Sequence, residues 1–245
     1  MKAGKKMGKY IIAGFKTEFE PRYDFLRERA KPYAADFDDS ETDFKVFVSE
    51  EYLQKRFEES PYLPIDRHEY LWIGQGFYDH MIERDGVMLH SSCVEKDGYA
   101  YLFSANCGTG KSTHTHLWLK NLPGTLIIND DKPLLLKEND TWYACGTPFS
   151  GKTDENLDVK IPVRAIVFLK RGEENKVSKM PVNEAIKLLF GQTIRPARQE
   201  RAIKVLESVD SIFRSVPVFS LECNMDDEAA FASYNGIERL INNED

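Results

Sequence analysis

The sequence predicts an α/β protein with a P-loop core domain over residues 85–245 and a small β-rich subdomain over residues 1–84. Three observations carry that expectation. Residues 99–120 read as strand, glycine-rich loop and helix. A second strand signal, Thr125-Leu126-Ile127-Ile128, runs into Asn129-Asp130-Asp131 only 18 residues after Lys111. Beyond residue 85, strand and helix patterns alternate along the chain, the pattern of α/β architectures.

The N-terminal elements come first. Residues 9–20 read as a strand, and 21–43, polar and broken by Pro21 and Pro32, as irregular structure. Residues 44–48 alternate in strand fashion, 50–59 suit a short helix, and 69–74 suit another strand after Pro61 and Pro64. In the core, Val87–His90 and Tyr99–Phe103 read as strands flanking the turn Lys96-Asp97-Gly98. Then come the loop, its helix over 112–120 and the strand ending at the acidic pair. Residues 134–136 and 141–144 suit a hairpin, 146–152 a loop and 163–169 a buried strand. Pro181 opens a helix to Phe190, the apolar spacing from Ala202 to Phe213 marks an amphipathic helix, 216–221 is a late strand, and Asp226 or Asp227 caps a last helix.

The chemistry concentrates in Ser104–Thr113. Glycines let successive backbone N–H groups face a phosphate chain, and the helix that follows aims its positive end at the same anion. The expected nucleotide-binding residues are Asn106, Cys107, Gly108, Thr109, Gly110, Lys111, Ser112 and Thr113. Lys111 would place a charge on the β- and γ-phosphates and Ser112 a hydroxyl on Mg²⁺. Ala105 stands where the motif has its first glycine, which requires a negative φ there. Asp130 and Asp131 fall at a strand's carboxyl end, where open α/β sheets bind ligands. Two carboxylates there can divide labour, one holding Mg²⁺ and one accepting a hydroxyl proton. Weaker candidates for the second substrate are Lys152 and Asn156 in the 146–156 loop, and Arg195. His114 and His116, two apart on a helix, face different sides and suggest no metal site, and Trp118 reads as a core residue.

The net charge of −7 argues against nucleic acid or an anionic membrane as the main partner. No apolar run approaches the roughly 18 residues of a membrane span. The four cysteines show no metal-type spacing, which fits free thiols and a cytoplasmic setting.

Gly86–Ser92, the aromatic strand, the loop, Asn129-Asp130-Asp131, Gly146–Lys152 and Val163–Leu169 together resemble the HPr kinase/phosphorylase-related kinases, which share a nucleotide-binding core with ATP-dependent phosphoenolpyruvate carboxykinase. The resemblance covers residues 85–200 and is closest to a small-kinase branch. It implies a mixed β-sheet P-loop core of the phosphoenolpyruvate carboxykinase-like type, ATP, Mg²⁺ and phosphoryl transfer to a hydroxyl. It further implies Asp130 as base and Asp131 with Ser112 on the metal, a division that could be reversed, with Lys111 and His90 beside the nucleotide. Cys107 stands where the family often has serine. Asp85 replaces a histidine of the bifunctional HPr enzymes, and their C-terminal segment is not recognisable, so a small-molecule or peptide acceptor is expected over HPr. The rival readings are an HPr-type protein serine kinase, a nucleotide hydrolase and an ATP-gated binding module. Oligomeric state is not legible.

Overall fold

The computed structural model describes residues 7–106 and 108–242, so Cys107 lies outside the described residues. The first elements depart most from expectation. Residues 9–20 are not one strand but a hairpin of β1 (Gly8–Ile12) and β2 (Phe15–Phe19). The chain reverses at Ala13-Gly14, where φ is 53° and 87°, the left-handed pair that a two-residue hairpin turn needs. Residues 21–43 hold α1 (Asp24–Ala30) and two 3₁₀ turns, Lys31–Tyr33 and Asp39–Glu41. β3 (Phe44–Lys45) keeps only part of its expected strand and runs parallel to β2. α2 (Glu50–Glu59) forms as predicted, capped by the Ser49 hydroxyl, which accepts from Tyr52 N.

The largest correction is α3 (Ile65–Ile82), a helix of 18 residues running through the strand predicted over 69–74. Aromatic and β-branched residues mislead there, because packing overrides propensity. On the helix, Ile73, Phe77 and Met81 share one buried face at the helical four-residue spacing. Glu69 is buried and accepts the backbone N–H groups of Arg22 and Tyr23 at 2.8 and 3.0 Å. The N-terminal part is therefore a three-stranded sheet completed by three helices rather than a β-rich unit.

The remaining elements follow the predicted order with two additions. β4 (Gly86–Met88) is followed by β5 (Ser91–Lys96), an addition that turns at Asp97-Gly98 into β6 (Tyr99–Ser104). Then come α4 (Lys111–Asn121), β7 (Leu126–Asn129), the hairpin β8 (Leu134–Glu138) and β9 (Thr141–Cys145), and β10 (Lys160–Arg171). β11 (Lys176–Lys179) is the second addition, before α5 (Val182–Gly191), α6 (Gln199–Ser215), β12 (Val218–Cys223) and α7 (Glu228–Asn242). One nine-stranded sheet runs β4-β8-β9-β10-β6-β5-β7, with β12 on β10 and β11 on β12. It is mixed: β10 is parallel to β6 and β12, while β5 is antiparallel to both β6 and β7. No helix among the described residues is long and apolar enough to cross a membrane.

The hydrophobic cluster of the N-terminal part does not stop at residue 84. Ile12, Phe19, Leu26 and Phe77 share it with Leu134, Leu136, Cys145 and Phe149. The Phe149 ring lies 5.7, 5.6 and 5.8 Å from those of Tyr70, Phe77 and Tyr78. Gly74 makes that approach possible, since a Cβ on it would meet the Phe149 ring at 2.9 Å.

Phe149→Ala is expected to cost roughly 3–5 kcal/mol, the usual cost of emptying a buried aromatic site. Wild-type protein should unfold in guanidinium with one transition, seen alike at Trp72 in the N-terminal part and at Trp118 and Trp142 in the core. Single-tryptophan variants with separate midpoints would show two independently folding units.

Candidate functional site

The site forms where the strand ends meet. β6 and β7 both end at the same edge of the sheet, and β5 lies between them running the other way. Its first residues therefore arrive where its neighbours' last residues leave. Ser92 pairs with Phe103 and Cys93 with Asn129. The acidic pair is thus one strand removed from the loop before α4, with β5 filling the gap.

The loop has the backbone its glycines predict. Gly108 and Gly110 have φ of 76° and 122°, where a side chain would be strained. Ala105 is buried and is not among the residues of positive φ, so alanine is tolerated there. Lys111 opens α4, and its ammonium donates to Ala105 O at 3.1 Å. From the end of β10, the Arg171 guanidinium donates to Thr109 O at 3.1 Å and to Gly108 O. Asn106 O accepts Thr109 N at 3.2 Å, while Ser112 and Thr113 stand in the first turn of α4.

Asn129 sets the turn that carries the acids. Its Oδ1 accepts the backbone N–H groups of Asp131 and Lys132 at 3.1 and 2.7 Å, and its Nδ2 donates to Thr147 O at 3.1 Å. This is the local side-chain turn that asparagine favours. Asp130 points inward: Ser92 Oγ donates to Oδ1 at 2.6 Å and Thr153 Oγ1 to Oδ2 at 3.0 Å. Ser92 Oγ also lies 2.8 Å from Thr115 Oγ1, which reaches Ser112 O at 3.1 Å. A hydrogen-bonded path thus joins Asp130 through Ser92 to Thr115 of α4. A second path runs from Ser112 O to His116 Nδ1 at 2.6 Å, and from His116 Nε2 to Glu155 Oε1 at 3.0 Å. Glu155 O in turn accepts Asp130 N.

Asp131 has different surroundings. Its Oδ1 lies 3.1 Å from His90 Nε2 and its Oδ2 2.5 Å from Lys132 Nζ. Burial raises this carboxyl, but the His90 hydrogen bond and the Lys132 charge outweigh it and hold the pKa at about 2. His90 Nδ1 faces Gln192 Oε1 at 3.1 Å, so both ring nitrogens meet oxygen acceptors. Among the described residues no group of three or more His, Cys, Asp or Glu gathers as a metal site.

The other sequence candidates separate. Asn156 belongs to the loop's scaffold, accepting from Tyr33 Oη at 2.6 Å and donating to Ser150 Oγ at 3.0 Å. Lys152 and Arg195 are exposed. Arg195 follows the Gln192-Thr193 segment that meets Leu89 and His90. His114 and Trp118 are buried and share Ser233 Oγ at 3.0 and 2.8 Å, which makes both structural. Burial pushes the His114 pKa down to about 4.

Sequence reasoning missed Ser92, Thr115, Lys132, Thr153, Arg171 and Gln192. Lys132 alone carried a signal, its place beside the acidic pair; the rest depend on the unpredicted β5 and on loop paths. Two cavities flank the site. One, of about 310 Å³, lies beside Thr109, Gly110 and Thr113 and is walled by Leu117, Leu169 and Met225. The other, of about 350 Å³, lies between α3 and Lys132, Phe149 and Ile194.

No protein-family model matches the chain, and no curated protein sequence matches it. Among solved structures, the chain is similar to the Hpr(Ser) kinase/phosphatase from Coxiella burnetii. That likeness has 11% identity and a TM-score of 0.39, covering 64% of this chain and 97% of the other. Similarity of that degree transfers no activity from one chain to the other.

Proposed function

We propose that this chain is an ATP- and Mg²⁺-dependent kinase that moves the γ-phosphoryl group to a hydroxyl of a small molecule or peptide, on a P-loop core of the phosphoenolpyruvate carboxykinase-like type. The observation that carries the reading is the hydrogen-bonded path from Asp130 through Ser92 to Thr115 of α4. It couples a buried carboxylate to the helix that opens with Lys111 and Ser112.

The nucleotide phosphates would lie over residues 106–113, with the base in the cavity walled by Leu117, Leu169 and Met225. Lys111 would leave Ala105 O for the β/γ-phosphates, and Arg171 would leave the loop carbonyls for the same charge. The residues fit Mg²⁺, which takes one or two carboxylates and completes its shell with phosphates and water rather than a protein cage. Asp131 and Ser112 would hold it, and the ion supplies charge that offsets the β- and γ-phosphates. A carboxyl with a pKa of about 2 stays ionised and is a weak proton acceptor, which suits Asp131 to a cation. Asp130 would be the base. Its Oδ2 accepts from Thr153, an exposed loop hydroxyl; an acceptor hydroxyl displacing Thr153 would donate the same bond. The acceptor oxygen then bonds to the γ-phosphorus, the bond to the β–γ bridging oxygen breaks, ADP leaves and the hydroxyl proton passes to Asp130. Positioning and charge would supply most of the rate.

Lys111→Ala is expected to weaken MgATP binding and nearly abolish transfer, read by fluorescent-nucleotide titration and by label from γ-labelled ATP. Unchanged affinity would remove Lys111 from the site. Asp130→Asn should keep MgATP binding and lose about 10²–10⁴ in transfer rate, the range for a lost general base. Asp131→Asn should instead raise the Mg²⁺ concentration needed for half-maximal transfer. Exchange of these phenotypes would reverse the two roles, and label released only as free phosphate would favour a hydrolase.

The depressed Asp131 pKa also predicts a stability effect. Its contribution is complete above the ordinary value of 3.8 and is lost as pH falls toward about 2. From the size of the shift, that contribution is on the order of 2 kcal/mol. Urea titrations between pH 2.5 and pH 5 should show a flatter pH dependence for Asp131→Asn than for wild type. Equal slopes would mean that His90 and Lys132 do not hold the carboxylate in solution.

A further inference from the structure

The cavity beside the acidic pair has a lining with its own chemistry. Tyr62, Leu63, Leu71, Trp72, Phe149 and Ile194 give it apolar walls. Lys132 supplies a cation, and among the described residues no Asp or Glu lines it. Tyr62 is 86% exposed and Leu71 43% exposed at its rim, so apolar surface stands open to water where the cavity begins. That surface is costly to leave uncovered. At about 350 Å³ the cavity is the size of a small-molecule site rather than a protein interface.

Its inner end is tied to the site. Lys132 directly follows Asp131, its ammonium lies 2.5 Å from Asp131 Oδ2, and it stands 5.7 Å from the centre of the Tyr70 ring. Tyr78 Oη fixes the Lys132 carbonyl at 2.5 Å. Ile194 stands two residues beyond Gln192, the partner of His90. The two segments that hold Asp131 thus form one end of the cavity, and α3 forms the other.

We infer that this cavity is the acceptor site of the proposed kinase, and that it takes a small hydroxy acid with an aromatic or branched apolar side chain. This rests on the kinase reading. The apolar body would fill the space between Trp72, Leu71 and Phe149. The carboxylate would pair with Lys132 as Asp131 turns to the metal. The hydroxyl, on the carbon next to the carboxylate, would then face Asp130. The charge on the wall favours an anion over a cation, and the rings favour a flat body over a sugar.

The test compares three compounds as acceptors from γ-labelled ATP: 3-phenyllactate, lactate, which lacks the ring, and 1-phenyl-2-propanol, which lacks the carboxylate. The inference expects 3-phenyllactate to be labelled with a KM about ten- to a hundredfold below that of either comparison compound, the scale on which an apolar pocket discriminates. Leu71→Glu and, at the exposed rim, Tyr62→Glu should raise that KM with fluorescent-ATP affinity kept. Because both positions are exposed, these variants should fold; circular dichroism and nucleotide affinity check this. Lys132→Met should remove the preference for 3-phenyllactate over 1-phenyl-2-propanol. Equal KM values for lactate and 3-phenyllactate, or rim variants without effect while transfer proceeds, would overturn the acceptor assignment and leave the kinase reading standing. Failure of the kinase reading would show separately, as MgATP affinity that does not respond to Lys111→Ala.

Discussion

Everything in the site depends on β5 running against its neighbours. Were β7 to lie directly beside β6, the acidic pair and the loop would be adjacent with no side chain between them. The antiparallel insertion of Ser91–Lys96 brings a strand's beginning to an edge otherwise made of strand ends. His90 and Ser92 therefore arrive at the acids from the core side, His90 on Asp131 and Ser92 on Asp130. One strand gives the two carboxylates different partners and so different chemistry. An ion pair and an imidazole hold one ionised, while neutral hydroxyls hold the other.

The N-terminal part acts on the site through the 146–156 loop. Arg29 of α1 is buried, lies 3.7 Å from the centre of the Phe25 ring, and pairs with Asp154 at 3.0 Å while donating to Gly151 O at 3.2 Å. Tyr70 Oη accepts Gly151 N at 2.8 Å, and Tyr33 holds Asn156. A buried guanidinium is costly unless paired and hydrogen-bonded, so these contacts fix the loop as firmly as they fix the arginine. Gly151 is needed at the point of contact: its φ is 78°, and a Cβ there would meet Asp131 Cβ at 2.6 Å. The loop carrying Thr153 is thereby pressed against the acidic turn.

The loop before α4, its helix, the acidic turn and the later helices were legible because each is written locally, in glycine spacing, strand runs and amphipathic periods. The N-terminal part was not. Tyr70 and Ile73 favour strands by propensity, and packing on Phe149 and its neighbours holds them in a helix. Asn156 was visible as a loop residue, but its partner Tyr33 lies 123 residues away. Ser92 lay outside the strand predicted over Val87–His90 because β5 was not recognised. Its role follows from pairing between strands, which no local pattern encodes.

The path from Asp130 has one more property, which follows from counting protons. A hydroxyl has one hydrogen to give. With Asp130 ionised, Ser92 must donate to it, and Thr115 donates either to Ser92 or to a helix carbonyl. With a proton on Oδ2, Oδ1 still accepts from Ser92, and the new O–H can donate to Thr153 Oγ1, whose own hydrogen turns away. The Ser92 bond then survives unchanged and the Thr153 bond survives with its direction reversed. Both hydrogen-bonding arrangements around Asp130 are thus satisfied by the same atoms in the same places. Asp131 lacks this freedom at Oδ2, because the ammonium of Lys132 can only donate and a protonated Oδ2 would face it with no acceptor. The two acids thus differ in which of their neighbours can turn their hydrogens round.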